Sequence, residues 1–238
     1  MTDTLRVIAD HAMLFDAAAA AIAGGLAAAI DARGRASFVL SGGNTPRAIY
    51  ERLASSAGAA VSWPLVEWYW GDERYVPPDD PRSNYGMARA ALLGRVTLNR
   101  GRVHRMPTGL ADPEVAAREY EDVLRQRRGE PFDLMLLGVG SDGHTASLFP
   151  NAPSVLERDR LVLAVDAAAD PRTKRLTMTL PALLNARELH VLVVGSDKAR
   201  AMADIAQRAA PTTVPAAALR RTGRPTTWWL DDAAAAMI

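Results

Sequence analysis

Two periods alternate along this chain. From Asp10 to Ala32 apolar residues recur at helical spacing and alanine dominates, which predicts a helix. Short apolar runs of strand length follow at Ser37 to Leu40, Val66 to Trp70, Phe132 to Leu137, Leu161 to Val165, Leu189 to Val194 and Thr226 to Leu230. Leu176 to Leu180 alternates as an edge strand would, and Val103 to Met106 is a shorter candidate. Helical character returns over Arg47 to Ser55, Ser83 to Leu93, Asp112 to Arg128, Pro181 to Ala186, Lys198 to Ala209 and Pro215 to Arg221. Asn44 or Thr45 suits an N-cap before Pro46, Ser83 suits a second, and Asp112 with Pro113 a third. Strands alternating with helices predict an α/β fold with a mainly parallel sheet and helices on both faces. There is no repeat or low-complexity linker, and the proline-rich Pro211 to Pro215 loop lies too near the end to divide the chain. One domain over residues 1–238 is expected.

Composition narrows the setting. The 238 residues are 49% hydrophobic and 23% charged, enough apolar material for a core. A net charge of +1 points away from nucleic acid or a membrane as the main partner. Cysteine is absent, so thiol nucleophiles, disulfides and thiolate metal sites are excluded. The opening Met-Thr-Asp-Thr-Leu-Arg is not a signal peptide, and Ala17 to Ile30 is too short and too weakly apolar to span a bilayer. A cytoplasmic enzyme or binding protein is the expectation. Lys174 and Lys198 are the lysines of a chain that otherwise uses arginine.

The chemistry concentrates in Asp133-Leu-Met-Leu-Leu-Gly-Val-Gly-Ser-Asp-Gly-His-Thr-Ala-Ser-Leu-Phe-Pro150. A buried strand runs into Gly138, Gly140 and Gly143, and that turn carries Asp142 and His144. A histidine beyond a strand's carboxyl end can act as a general base, and a nearby carboxylate can orient its ring. The Gly138-x-Gly140-x-x-Gly143 spacing also matches a dinucleotide fingerprint. That motif needs a long helix directly after the glycines, and Pro150 leaves room for barely one or two turns.

Other strand ends are equally polar. Ser41-Gly42-Gly43-Asn44-Thr45-Pro46 joins a strand to a helix start, which points backbone N–H groups at an anion; no Gly-Lys-Ser/Thr follows, so it is not a Walker A loop. Gly71-Asp72-Glu73-Arg74 reads as a charged turn, as does Gly195-Ser196-Asp197-Lys198. A parallel sheet brings such ends together along one edge. Arg74, Arg175 and Lys198 would supply positive charge there, and Asp142 with His144 proton transfer. This describes a site for a phosphorylated small molecule. His11, His104, His144 and His190 show no metal-ligand spacing.

These stretches resemble the 6-phosphogluconolactonase family. The likeness rests on Ser41 to Pro46, Gly71 to Arg74 with Ser83-Asn84-Tyr85, Gly138 to Pro150, Pro171 through Arg175-Leu-Thr, and Gly195 to Lys198, in family order along nearly the whole chain. The resemblance implies an open Rossmann-like fold of the sugar-phosphate isomerase/deaminase type and hydrolysis of 6-phospho-D-glucono-1,5-lactone to 6-phosphogluconate. It implies no cofactor and no required metal, with the phosphorylated lactone as partner; a monomer is expected. By similarity His144 would activate water with Asp142 beside it, and Arg74 would stabilise the oxyanion or the phosphate. Gly42, Gly43, Asn44, Thr45, Arg175 and Lys198 would hold the phosphate, with Asp72 and Asn84 also at the substrate. Asn44 stands where the family often has Ser or Thr.

Two rival readings stay open at this stage. Glucosamine-6-phosphate deaminases resemble the same pattern, but carry Asn-Glu shortly after the histidine, where this chain has Ala146-Ser147-Leu148-Phe149 and no carboxylate before Glu157. A non-catalytic sugar-phosphate sensor would need the pocket but not the Asp142/His144 pair.

Overall fold

The computed structural model describes residues 3–166, 173–221 and 223–238. Nine strands are present among them: β1 (Thr4–Val7), β2 (Ala36–Leu40), β3 (Val66–Trp70), β4 (Asp72–Arg74), β5 (Phe132–Gly138), β6 (Val162–Val165), β7 (Arg175–Met178), β8 (Ala186–Val193) and β9 (Thr226–Leu230). The α-helices are α1 (His11–Arg33), α2 (Asn44–Leu53), α3 (Asn84–Ala88), α4 (Pro113–Arg125), α5 (Leu180–Leu183), α6 (Ala199–Ala206) and α7 (Asp232–Ala235).

Six strands form a parallel sheet in the order β1-β9-β8-β5-β2-β3. From β2 the chain steps outward to β3. It then returns to the other side of β2 to lay down β5, β8 and β9. Growth therefore reverses direction between β2 and β5, and the loops leaving these two strands flank one crevice, the place where open α/β sheets bind ligands. A smaller antiparallel sheet, β4-β7-β6, packs beside this edge. Gly71 joins the two sheets: its N–H donates to the Leu40 carbonyl at the end of β2, and its own carbonyl accepts from Met178 N.

Local chemistry explains the helices. Asp10 caps α1 by accepting from Met13 N at 2.8 Å, and Gly34 ends it in the left-handed conformation at φ 71°. By length and composition α1 is apolar enough to cross a membrane. Its stripe of Leu14, Ala18, Ile22, Leu26 and Ala29 is instead buried in contact with β2, β5 and α2, the pattern of a core helix. On the opposite face Tyr120 of α4 accepts from Trp70 N at 2.9 Å, and α4 also contacts β6 and β7. Trp68, Trp70, Trp228, Tyr50 and Tyr120 are fully buried in one core cluster, so the tryptophans of β9 pack rather than bind.

Several expectations need correction. Residues 72–74 are a strand, not a turn, because their polar side chains find buried partners. The N-cap of α2 is Gly43, with no side-chain capping bond from Asn44 or Thr45. Val103 to Met106 forms no strand and leaves a lone bridge from Val103 to Trp68. Pro215–Arg221 winds as a 3-10 helix, and α6 ends at Ala206 rather than Ala209. The helix expected through Leu93 widens after Ala88 into a π turn over Arg89–Leu93. β1 and α7 had no sequence counterpart. Ser83 and Asp112 do cap α3 and α4 as expected.

Candidate active site

The reversal point builds a cleft of about 210 Å³ at the carboxyl ends of the strands. Gly42, Asp72, Arg74, Asn84, His144, Arg175 and Lys198 all line it. Gly43 and Asn44 line an adjoining groove with Arg47, Arg74 and Asn84, and Thr45 lines neither. Pro171 and Arg172, named in the resemblance, lie outside the described residues.

His144 is placed by its own loop. Gly140 N donates to the His144 carbonyl at 2.8 Å, and Gly143 N to the Gly140 carbonyl at 2.9 Å. Thr145 Oγ1 ties the loop to the Gly138 carbonyl at 2.9 Å. Gly143 has φ 84°, and a Cβ there would press on Val214. The His144 ring lies 5.0 Å from that of Phe149. Its Nδ1 is 2.6 Å from Asp142 Oδ1, which also accepts from His144 N at 3.0 Å. Partial burial raises the Asp142 pKa, but the bonds from the His144 ring and amide outweigh it and hold the carboxyl below its ordinary value. An ionised Asp142 only accepts, so Nδ1 carries the proton and Nε2 is left able to receive one.

The opposite wall is cationic. Arg74 and Arg175 stand directly opposite each other on β4 and β7. Like charges in that position repel. Burial and the neighbouring Arg74 both pull the Arg175 pKa down, against the attraction of Asp72. The buried Nε atoms of both arginines have no hydrogen-bond partner. Two adjacent guanidinium groups with spare donors can hold an anion. Lys198 lies in the turn before α6, 2.9 Å from Asp197, and adds a third cation. The N-terminus of α2 contributes its dipole beside them.

Asp72 and Asn84 are expected at the substrate, but Glu73, Ser147, Tyr50 and Asp231, which support this wall and its neighbouring loops, had no assigned role. Glu73 is 3% exposed and accepts from Arg74 N, Asn84 N and Tyr85 N, each at 2.7 Å, and from Ser83 Oγ at 3.0 Å. One carboxylate thus fixes both Arg74 and the start of α3. Asn84 Nδ2 donates to the Asp72 carbonyl at 2.9 Å, and its Oδ1 lies against Gly42, where a Cβ would stand 1.8 Å away. Asp72 accepts from Ser147 Oγ at 2.6 Å, and Ser147 N donates to Thr177 Oγ1 at 3.1 Å. The His144 loop is therefore stitched to the small sheet. Tyr50 OH bridges the Ser41 amide and carbonyl at 2.9 and 2.8 Å, setting the loop that leads into α2. Asp231 accepts from Gly195 N at 3.1 Å and holds the turn that presents Lys198. For Ser147 the sequence signal is a small polar residue flanked by Ala146 and Leu148, three positions after His144.

Residues 9–229 match the model of the family "Glucosamine-6-phosphate isomerases/6-phosphogluconolactonase". The chain belongs to this family. Among its relatives, the 6-phosphogluconolactonase of Mycobacterium tuberculosis is 41% identical, over 99% of this chain and 98% of that one. The 6-phosphogluconolactonase of Thermotoga maritima, a solved structure, superposes with a TM-score of 0.85 at 29% identity, covering 97% of this chain and 100% of that one. A monomeric glucosamine-6-phosphate deaminase reaches the same TM-score at 21% identity, over 99% and 100% of the two chains, and so shares the fold. The expected fold is borne out: a mainly parallel sheet of the type both activities use.

Proposed function

We propose that the chain hydrolyses 6-phospho-D-glucono-1,5-lactone to 6-phosphogluconate, in the oxidative pentose phosphate pathway, with His144 as general base. The observation that carries the reading is the 2.6 Å pairing of His144 with Asp142, across the cleft from the Arg74/Arg175 pair. Asp142 holds the Nδ1 proton, and Nε2 takes a proton from water as it attacks the lactone carbonyl. The C1 oxyanion collapses, the bond from C1 to the ring oxygen breaks, and the departing alkoxide takes the proton back from His144. Arg74 stabilises the oxyanion or the phosphate. Arg175, Lys198 and the Gly42, Gly43 and Asn44 amides bind the phosphate, Thr45 lying outside both hollows, and Asp72 and Asn84 shape the wall between.

Ser147 bears on the deaminase alternative. At the third residue after His144 its hydroxyl is committed to Asp72, and no carboxylate in that segment is available to support ring-opening isomerisation. A phosphorylated lactone as ligand, a monomeric state and a cytoplasmic setting belong to the same proposal. The test follows lactone hydrolysis by proton release, corrected for spontaneous opening, alongside ammonia release from glucosamine 6-phosphate. Hydrolysis without ammonia release supports the reading. The reverse would favour the deaminase, and tight binding with neither reaction would favour a sensor.

A further inference from the structure

The charge of this molecule is unevenly spread. From Pro81 to Ala111 the chain carries no Asp or Glu, but it holds Arg82, Arg89, Arg95, Arg100, Arg102 and Arg105. The net charge of the whole chain is only +1. Arg82 pairs with Asp80, and Arg102 with Glu67. Arg89, Arg95, Arg100 and Arg105 are exposed, and among the described residues none of them pairs with a carboxylate. Arg105 lies over the Tyr85 ring at 5.9 Å, and Arg95 Nε bonds only the Ala90 carbonyl.

Position gives these charges a direction. Arg89, Arg100 and Arg105 border an open groove of about 620 Å³. Arg89 also borders the next groove, of about 490 Å³, whose far wall is Arg74 and Asn84. Those two residues line the His144 cleft itself. Arg89 is shared by the first two hollows, and Arg74 and Asn84 by the last two, so their linings run in series from the π turn to the His144 cleft. The carboxylates along this series are Asp79 and Asp80 in the middle groove and Asp72 in the cleft; Asp80 is engaged by Arg82 through two bonds of 2.8 and 2.9 Å, and Asp72 lies 4.0 Å from Arg175.

We infer that Arg89, Arg100 and Arg105 form an electrostatic approach path that captures the phosphorylated lactone and directs it to the cleft. The inference rests on the proposed lactonase reading and adds to it residues that touch neither the reacting atoms nor the bound substrate. A surface lined with one sign of charge focuses its field and raises association rates by roughly 10- to 1000-fold. The same arginines repel cations and do nothing for neutral sugars, so the path also selects for the phosphate. Capture speed matters here because a δ-lactone opens spontaneously, and the enzyme contributes only if it binds substrate first.

The test compares three purified proteins on 6-phosphogluconolactone: wild type, R89Q/R100Q/R105Q and R89K/R100K/R105K. Each is assayed for kcat and kcat/KM from about 10 mM to about 1 M KCl, where the screening length falls from roughly 30 to roughly 3 Å. Circular dichroism and thermal unfolding check that each folds. The expected result is a loss of about tenfold in kcat/KM for the glutamine variant at low salt, with kcat unchanged. Its curve meets that of wild type at high salt, and the lysine variant behaves as wild type. Equal kcat/KM for wild type and the glutamine variant at every salt concentration overturns the path. So does a lysine variant as impaired as the glutamine one, since that would reveal a packing role. A wild type that hydrolyses no lactone at all would instead remove the functional reading, before the variants are compared.

Discussion

The imidazole of His144 lies against the backbone of Gly140, so closely that a methyl group on that Cα would stand 2.0 Å from Nδ1 and 2.7 Å from Asp142 Oδ1. The glycine is required by the ring and not by its own backbone, since its φ is not positive. Gly140→Ala should therefore fold, yet push the imidazole off Asp142. We expect kcat to fall by about 100-fold, the effect of a reacting group misplaced by an ångström, with thermal stability shifting little. Unchanged kcat would mean that the ring can move aside without cost.

Removing the base itself should act on turnover. A positioned general base contributes roughly 10²- to 10⁴-fold, so His144→Ala is expected to lower kcat by that order and leave KM nearly unchanged. More than about a third of wild-type turnover remaining would take His144 out of the mechanism.

Asp142→Asn separates orientation from folding. The amide can donate to Nδ1 and favour the opposite tautomer. Activity should collapse while the unfolding temperature stays within a few degrees. A loss of stability with intact kcat would make Asp142 a turn cap and nothing more.

Lys198→Ala probes the phosphate. Charge-assisted hydrogen bonds contribute roughly 1.5–3 kcal/mol, which predicts a rise in KM of about 10- to 100-fold for the phosphorylated lactone. Unphosphorylated gluconolactone should be barely affected. Equal losses on both would move Lys198 to the carbonyl.

Glu73 supplies a pH dependence. Burial pushes its carboxyl above the ordinary value of 4.5, against the backbone N–H groups that favour the charged form. A raised value in the folded state means that folding favours the protonated group. Its contribution is complete below the ordinary value and is lost as pH rises through the raised one. Glutamine does not titrate. The unfolding temperature of wild type relative to Glu73→Gln should therefore decline as pH rises above the ordinary carboxyl range. A flat difference would show that the amides hold Glu73 at its ordinary value.

The parallel sheet and its rim were legible because they rest on local signals. Apolar runs such as Leu134 to Leu137 are buried on both faces, and glycines mark the turns beyond them. The residues that line the cleft also stood out, since charge at a strand end is unusual. The small sheet was harder to read. Asp72-Glu73-Arg74 has the composition of a solvated turn, and becomes a strand only because Ser147, Asn84 and Arg175 arrive from elsewhere in the chain. Glu73, Ser147 and Asp231 act through partners between 10 and 75 residues away, and no spacing rule reports such pairs. β1 was missed for the opposite reason: all four of its residues are exposed, so it has no apolar pattern to show. Val103 to Met106 had that pattern, but made only a bridge to Trp68.

The placement of β1 carries a consequence for how the protein is made. Among the described residues Thr4 to Val7 pair with Thr227 to Leu230 alone, and Asp3 is held by Arg220. β1 precedes the other described strands in the chain and is thus among the last to find its seat. Until β9 is synthesised, the edge of β8 stands open and β1 has no neighbour. β2, β3 and β5 can pair well before that, whereas the turn that carries Lys198 waits for Asp231, which follows β9. Long-range pairing of this kind is slow to form and leaves unpaired strand edges exposed in the meantime. The far edge, three strands from the chemistry, is where misassembly during synthesis would begin.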